Sequence, residues 1–168
     1  RRKKVDERRV ALVLANYPNR DGRIANGVGL DTPAATIEVM RAMATAGYVL
    51  DDVPADGDAL IRLLQIGVTN SNTPDRLIRE TLSLNDYNSL FEKLPVQIQN
   101  QVLERWGKSE LDPFWNHDAK AFALPLMRFG NVIAGIQPAR GYNIDPKQSY
   151  HSPDLVPPHG YFAFYFFL

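Results

Sequence analysis

A continuous apolar run at residues 10–15 is the first clear pattern along the chain, and a basic stretch precedes it. Such a run is typical of a buried strand in a parallel sheet that is covered on both faces. A polar, glycine-rich segment follows at residues 16–31, and apolar positions with helical spacing then continue to Gly47, which favours the end of a helix. Strand, loop and helix in this order predict the α/β class, as a three-layer, Rossmann-like sheet segment. Residues 48–50 are predicted to begin the next strand.

Helix start and stop residues mark the first helix and a helical middle of the chain. Asp31 or Thr32 is predicted to cap the first helix, with Pro33 in its first turn. Further helices are predicted from Asp56 or Asp58 to Ile66, and at residues 74–81, 84–93 and 95–106.

Two apolar runs in the last third of the chain predict a β-hairpin. Residues 121–129 and 132–136 are apolar, and the dipeptide between them reads Gly-Asn. Pro125 interrupts the first run and is best accommodated at a sheet edge or a bulge, because it cannot donate a ladder hydrogen bond.

A segment rich in prolines follows the hairpin. Residues 137–160 contain five prolines, two glycines, two tyrosines and two histidines, which predicts a long ordered loop rather than regular structure. Loops of this length inside compact folds are usually functional. Residues 160–168 are predicted to begin a helix. The whole chain is interpreted as a single α/β segment of a larger protein with four parts: a basic leader at 1–9, a strand–loop–helix unit at 10–50, a mainly helical part at 51–120, and the hairpin with the proline-rich loop at 121–168.

Composition removes several classes of function. Basic and acidic residues are equal at 19 each, so charge gives no reason to expect a nucleic-acid partner. The chain has no cysteine, which excludes disulfides and cysteine-ligated zinc. No apolar run approaches the length of a membrane span, and a cytoplasmic location fits these features.

Two glycine-containing stretches do not meet the requirements of nucleotide loops. Residues 107–109 read Gly-Lys-Ser, but a phosphate loop needs a glycine where this chain has Val102. Residues 27–29 read Gly-Val-Gly, but Thr32 stands where a dinucleotide loop has its third glycine. The sequence therefore predicts no ATP site here.

The glycine-rich segment at residues 16–33 is the first candidate for a binding site. It leaves the carboxyl end of the first predicted strand, which is where ligands bind in open α/β sheets. It carries Arg20 and Arg23, and arginine pairs bidentately with carboxylates. The alternative is a solvated loop whose charges pair locally.

The proline-rich segment at residues 137–161 is the second candidate. It combines His151, His159 and Asp145 within a backbone that prolines stiffen. Imidazole and carboxylate groups on a rigid loop suit metal transfer or proton abstraction. The alternative is that each histidine only satisfies a backbone partner.

Motifs in both segments resemble a known family. Residues 141–146 read Gly-Tyr-x-x-Asp-Pro and residues 157–160 read Pro-x-His-Gly. Together with residues 16–33, they resemble the large-subunit (CobN) family of aerobic cobaltochelatase, which is related to the large (H) subunit of magnesium chelatase. The string at 137–161 resembles the cobalt branch, and Asn143 stands where the magnesium branch carries glutamate. The resemblance covers the first third and the last quarter of the chain well, and the helical middle loosely.

The resemblance implies that the chain is an excised fragment of a longer subunit that binds a tetrapyrrole and a metal, and that the fragment is inactive alone. The implied reaction is ATP-dependent insertion of cobalt(II), as substrate metal, into hydrogenobyrinic acid a,c-diamide in aerobic cobalamin biosynthesis. The implied partners are two further subunits, including a ring-forming ATPase that hydrolyses the ATP. The alternatives are a magnesium chelatase subunit that acts on protoporphyrin, and a non-catalytic module that docks a tetrapyrrole or a partner.

The resemblance and the needs of the reaction also suggest roles for individual residues. Pyrrole protons need a base, the metal needs ligands that replace its water, and peripheral carboxylates need cationic donors. The expected catalytic residues are His151, His159 and Asp145, and the two histidines are the expected metal ligands. The expected substrate-binding residues are Arg20, Arg23, Arg140, Tyr142, Tyr161 and Gln137. The two segments are expected to meet on one concave surface.

Overall fold

The computed structural model of the chain describes residues 3–17, 19–71, 76–142 and 155–168. The chain forms two compact units. The first unit comprises Arg1–Leu77 and Pro125–Gln137, and the second comprises Ile78–Leu124 and Pro138–Leu168. Each unit contains one three-stranded sheet together with helices, so the predicted α/β class is confirmed.

The first two strands are each followed by two helices, and four consecutive strands then precede the last helix. In chain order they are β1 (Val10–Leu14), α1 (Thr32–Thr45), α2 (Gly57–Ile66), β2 (Glu80–Ser83), α3 (Leu84–Phe91), α4 (Val96–Trp106), β3 (Trp115–Asn116), β4 (Ala121–Leu124), β5 (Leu126–Phe129), β6 (Val132–Ile136) and α5 (His159–Phe167).

The sheet of the first unit has the order β1-β6-β5. β1 and β6 are parallel, with Val10 opposite Val132 and Leu14 opposite Ile136. β5 and β6 form the predicted antiparallel hairpin. Apolar side chains of α1 and α2 pack with those of this sheet in one core: Leu14, Ile24, Ala25, Ile37, Met40, Leu60, Leu64, Phe129, Val132, Ala134 and Ile136.

β1 is covered on one face, whereas the sequence predicted cover on both. Leu14 is buried and Val10 and Leu12 pack against the core, but Ala11 is exposed and Val13 remains 38% exposed. A continuous apolar sequence cannot distinguish these cases, because it is compatible with burial of either face.

The predicted helix starts in the first unit are confirmed. The Asp31 side chain accepts a hydrogen bond from the Ala34 N–H at 3.1 Å, and the Asp56 side chain accepts one from the Ala59 N–H at 2.8 Å.

The prediction of a strand at residues 48–50 is wrong, because these residues form no ladder of backbone hydrogen bonds. Within this stretch the Val49 carbonyl accepts from the Asn131 N–H in the hairpin turn, but no ladder forms.

The sheet of the second unit has the order β2-β4-β3, and both pairs are antiparallel. The helix predicted at residues 74–81 is wrong where the structure describes it, because Glu80 and Thr81 pair with β4 instead. This pairing is long-range, and local pattern does not contain it. The predicted helices at 84–93 and 95–106 are confirmed as α3 and α4, and α4 ends at Gly107, whose φ is 77°.

Pro125 divides the apolar run at 121–129 into β4 and β5, which belong to different sheets. Its carbonyl still accepts a hydrogen bond from the Ile136 N–H at 2.9 Å. The predicted final helix is confirmed as α5. None of the helices in the described ranges is long and apolar enough to cross a membrane.

Candidate functional site

The two candidate segments leave the sheet of the first unit at the same edge. Because β1 and β6 are parallel, their carboxyl ends at Leu14 and Ile136 lie side by side. The glycine-rich segment begins directly after the first of these ends, and Gln137 begins the proline-rich segment after the second. The Gln137 N–H donates to the Leu14 carbonyl at 2.9 Å. This edge is where open α/β sheets bind ligands.

A cluster of amides joins the starts of the two segments, and we call Asn16, Asn70 and Gln137 the strand-end cluster. The Asn70 side-chain N–H₂ donates to Asn16 Oδ1 at 2.8 Å and to the Gln137 carbonyl at 2.9 Å. Asn16 is only 2% exposed, and its own side-chain N–H₂ donates to the Arg20 carbonyl at 2.9 Å. The cluster therefore fixes the backbone at Arg20 relative to the strand ends.

Asp21 anchors the same segment to a distant part of the first unit. Its carboxylate forms a salt bridge with Arg76 and accepts a hydrogen bond from the Ser71 hydroxyl at 2.9 Å. Burial alone would raise the pKa of Asp21, but hydrogen bonds from Thr69, Ser71 and Arg76, together with the Arg76 charge, hold it below its ordinary value. Asp21 is thus an ionised anchor at neutral pH.

Arg20 and Arg23 flank this anchor and are exposed. Within the described part of the chain, neither guanidinium forms a salt bridge. Asp21 is therefore paired with residues from elsewhere in the first unit, whereas no salt bridge of Arg20 or Arg23 occurs among the described residues. The pairing of Asp21 is therefore long-range, with partners 50 and 55 positions away along the chain.

The second unit contains a buried carboxylate at Asp112, which is 7% exposed. Its Oδ1 accepts from the Phe114 N–H at 2.9 Å and its Oδ2 accepts from the Gly160 N–H at 2.8 Å. The Tyr142 hydroxyl lies 3.3 and 3.4 Å from the two oxygens. Burial raises the pKa of Asp112 above its ordinary value, although the N–H groups of Phe114 and Gly160 oppose the shift.

Gly160 has no room for a side chain. A Cβ atom at this position would lie 2.7 Å from Phe114 Cδ2, 2.8 Å from Asp112 Oδ1 and 2.9 Å from the Tyr142 hydroxyl. The glycine that ends the Pro-x-His-Gly motif is therefore required by close packing around the Asp112 carboxylate.

His159 precedes this glycine and is 1% exposed. Its Nδ1 lies 2.6 Å from the Tyr87 hydroxyl, and its Nε2 lies 2.9 Å from the Gly107 carbonyl. A carbonyl can only accept, so Nε2 carries a proton, and in the neutral ring Nδ1 accepts from Tyr87. Burial raises the pKa of Tyr87, which keeps this hydroxyl protonated. Both ring nitrogens are occupied, so a metal could bind His159 only after one hydrogen bond opens.

The remaining predicted site residues occupy different environments. Tyr142 is held by Asp112, and its ring contacts Trp106 at 5.7 Å between centroids. The ring of Tyr161 contacts that of Tyr165 at 4.8 Å, and Arg140 is half-buried in the second unit. His151 and Asp145 lie outside the described residues. In the described ranges, no group of three or more metal-ligating side chains occurs.

Several of the residues in these clusters carry sequence signals that the sequence analysis did not use. Asp112 precedes Pro113 and Phe114, and its bond to the Phe114 N–H is an Asx turn, which an Asp-Pro pair favours. Asn16 follows a predicted strand directly. Asn70 has no comparable signal, because its partners are 54 and 67 residues away along the chain.

Comparison with known proteins shows which family the chain resembles. The family model described as CobN/Magnesium Chelatase matches residues 1–168. The chain is 67% identical to the aerobic cobaltochelatase subunit CobN of Sinorhizobium sp over its whole length, and 52% identical to that of Pseudomonas aeruginosa over 99% of it. It spans 13% of the length of each of these relatives. Magnesium-chelatase H subunits are 26–28% identical over similar lengths.

A solved structure with a similar fold is the catalytic subunit of cobaltochelatase from Mycobacterium tuberculosis. Its TM-score to this chain is 0.72, with 36% sequence identity. The match covers 95% of this chain and 13% of that subunit. The fold described above therefore occurs within a much longer protein.

Proposed function

Because the chain belongs to the CobN/Magnesium Chelatase family, we propose that it forms part of the tetrapyrrole site in the large subunit of an aerobic cobaltochelatase. In this proposal the full subunit inserts cobalt(II), its substrate metal, into hydrogenobyrinic acid a,c-diamide during aerobic cobalamin biosynthesis. Two further subunits, including a ring-forming ATPase, hydrolyse the ATP in the cytoplasm. The higher identity to cobaltochelatase than to magnesium-chelatase subunits favours cobalt.

The observation that carries the proposal is the strand-end cluster with two exposed arginines beside it. The cluster fixes the backbone at Arg20, and the Asp21 anchor fixes the next residue. A corrin precursor with ionised peripheral side chains offers carboxylates to Arg20 and Arg23. Charge-assisted hydrogen bonds of this kind are roughly twice as strong as neutral ones, and a fixed loop reduces the entropy lost on binding.

The second unit fixes the start of α5 through its own buried contacts. Asp112 holds the Gly160 N–H, and His159 is held between Tyr87 and Gly107. We propose that these contacts fix the chain where the Pro-x-His-Gly motif ends. The proposed substrate-binding residues also include Tyr142, Tyr161, Arg140 and Gln137.

His151 and Asp145 complete the proposal as the candidates for metal transfer and proton abstraction. Removal of two pyrrole protons requires a base, and imidazole or carboxylate groups can replace metal-bound water stepwise. His159 keeps the proposed ligand role only if its bond to Tyr87 or Gly107 opens during the reaction. Alanine at His151 in the full subunit should reduce cobalt insertion, and an unchanged insertion rate would contradict this role.

The arginine proposal is tested with the full-length subunit, its two partner subunits and ATP, with insertion followed by the absorbance of the corrin. Arg20→Ala and Arg23→Ala should each raise KM for the corrin acid by about tenfold or more, because each removes a charge-assisted hydrogen bond of about 1.5–3 kcal/mol. Arg9→Ala is the matched control, since Arg9 is exposed but precedes β1 at the opposite end of the strand. An unchanged KM in both variants would contradict the proposed carboxylate contacts.

The alternative functions are separated with the same proteins. A magnesium chelatase subunit would bind protoporphyrin in preference to the corrin acid, which a fluorescence titration measures. A docking module without chemistry would bind the corrin acid tightly, yet the reconstituted complex would not insert cobalt.

A further inference from the structure

Among the described residues, one edge of β1 is paired and the other edge is open. The strand order β1-β6-β5 places it at the edge of the sheet. The Val10 N–H donates to the turn before β6, and the Leu14 carbonyl accepts from Gln137 just beyond β6. The N–H and C=O groups of a strand residue point to the same side, and the side alternates from one residue to the next. The backbone groups of Ala11 and Val13 therefore point to the open edge.

The glycine-rich segment covers only the far end of this edge in the described residues. The Ala25 N–H donates to the Ala15 carbonyl at 2.7 Å, and Asn16 and Ile24 form an isolated antiparallel bridge. Ala15 is two residues beyond Val13, so its carbonyl lies on the same side of the strand. The edge is thus paired from Ala15 onward and open before it.

A groove follows the open part of the edge. It has a volume of ≈ 290 Å³ and is lined by Ala11, Leu12, Val13, Leu14, Thr32, Ala35, Thr36 and Val39. Val13 and Val39 are both substantially exposed. None of the lining residues is charged, and β1 contains no proline, charge or bulge of the kind that protects natural sheet edges.

We propose that another β-strand of the same subunit, from outside these 168 residues, pairs with β1 at Ala11 and Val13 and fills the groove beside α1. Only 13% of the length of the related subunits is represented here, so most of the subunit is available to supply the strand. The edge of β1 is apolar and unprotected, and it lies beside a parallel strand pair. Parallel sheets are normally buried, so permanent pairing with a strand of the same polypeptide fits this edge. Because Ala25 already pairs with Ala15, the proposed strand can pair only with residues 10–14.

Residue-resolved hydrogen exchange on the full-length subunit tests the proposal. In the isolated, dilute subunit, the N–H groups of Ala11 and Val13 should exchange at least about 100-fold more slowly than in an unstructured chain. The Leu12 N–H, which faces β6, is the internal control and should be protected whether or not the edge is covered. The proposal concerns the sheet alone, so cobalt insertion need not be measured.

Three outcomes would overturn the proposal. Fast exchange at Ala11 and Val13 with a protected Leu12 would show an open edge. Protection that appears only as the subunit concentration rises would assign the edge to a second copy of the subunit. Protection that appears only after the partner subunits are added would assign it to an interface of the complex.

Discussion

Replacing Gly160 with alanine introduces one methyl group into a site that has no space for it. The new Cβ would lie 2.7–2.9 Å from atoms of Phe114, Asp112 and Tyr142, where ordinary contacts exceed 3.4 Å. Overpacking of this kind costs about 1–3 kcal/mol. If Asp112 moves away to relieve it, the buried Gly160 N–H loses its acceptor at a cost of about 1–3 kcal/mol. The higher helix propensity of alanine offsets at most about 1 kcal/mol of this cost. The net loss in the free energy of unfolding should be about 1–5 kcal/mol.

Urea unfolding followed by tryptophan fluorescence measures this loss in the second unit specifically. The chain has two tryptophans, and both Trp106 and Trp115 belong to that unit. Gly22→Ala is the control for a methyl group added where space exists, because a Cβ at Gly22 meets nothing within 4 Å; Gly22 lies in the first unit, so circular dichroism, which reports both units, is recorded beside the fluorescence. The control should change stability by less than about 0.5 kcal/mol. A Gly160→Ala variant as stable as the control would refute the packing around Asp112.

Three further predictions concern the carboxylates. Asp112→Asn should lower the free energy of unfolding by about 1–3 kcal/mol, because the amide has one accepting oxygen where the carboxylate uses two, for the N–H groups of Phe114 and Gly160. The same urea assay measures this loss, and an unchanged midpoint would contradict the prediction. Because burial raises the folded-state pKa of Asp112, the folded chain binds the extra proton between the ordinary and the raised value. The stability that protonated Asp112 contributes should therefore be lost as pH rises from the ordinary pKa through the raised pKa. Urea midpoints measured across this pH range should show the loss, and they should not show it in Asp112→Asn. Arg76→Ala should raise the pKa of Asp21, which NMR titration measures. In the native chain, ionised Asp21 contributes stability above its ordinary pKa, and this contribution is lost as pH falls through its lowered folded-state pKa.

Local chemistry in the sequence was enough to predict most helices and the hairpin. Asp31 and Asp56 cap helices because a short acidic side chain can reach the N–H groups of the first turn, whatever the helix packs against. Gly130 permits the tight turn of the hairpin, since its φ is 62°. The family resemblance was also readable from local motifs, and the match over all 168 residues confirms it.

Tertiary structure decided the features that depend on partners far apart in the chain. Glu80 and Thr81 are in a strand because β4 offers a ladder some 40 residues later, and this pairing overrides a local helical pattern. The sequence marked His159 as a candidate ligand, but only the fold shows both of its nitrogens hydrogen-bonded to Tyr87 and Gly107. Likewise the salt bridge between Asp21 and Arg76 joins residues that are 55 positions apart along the chain. A sequence by itself determines the donors, acceptors and caps that act within a turn or two; which buried groups find each other across the chain depends on how the strands and helices pack.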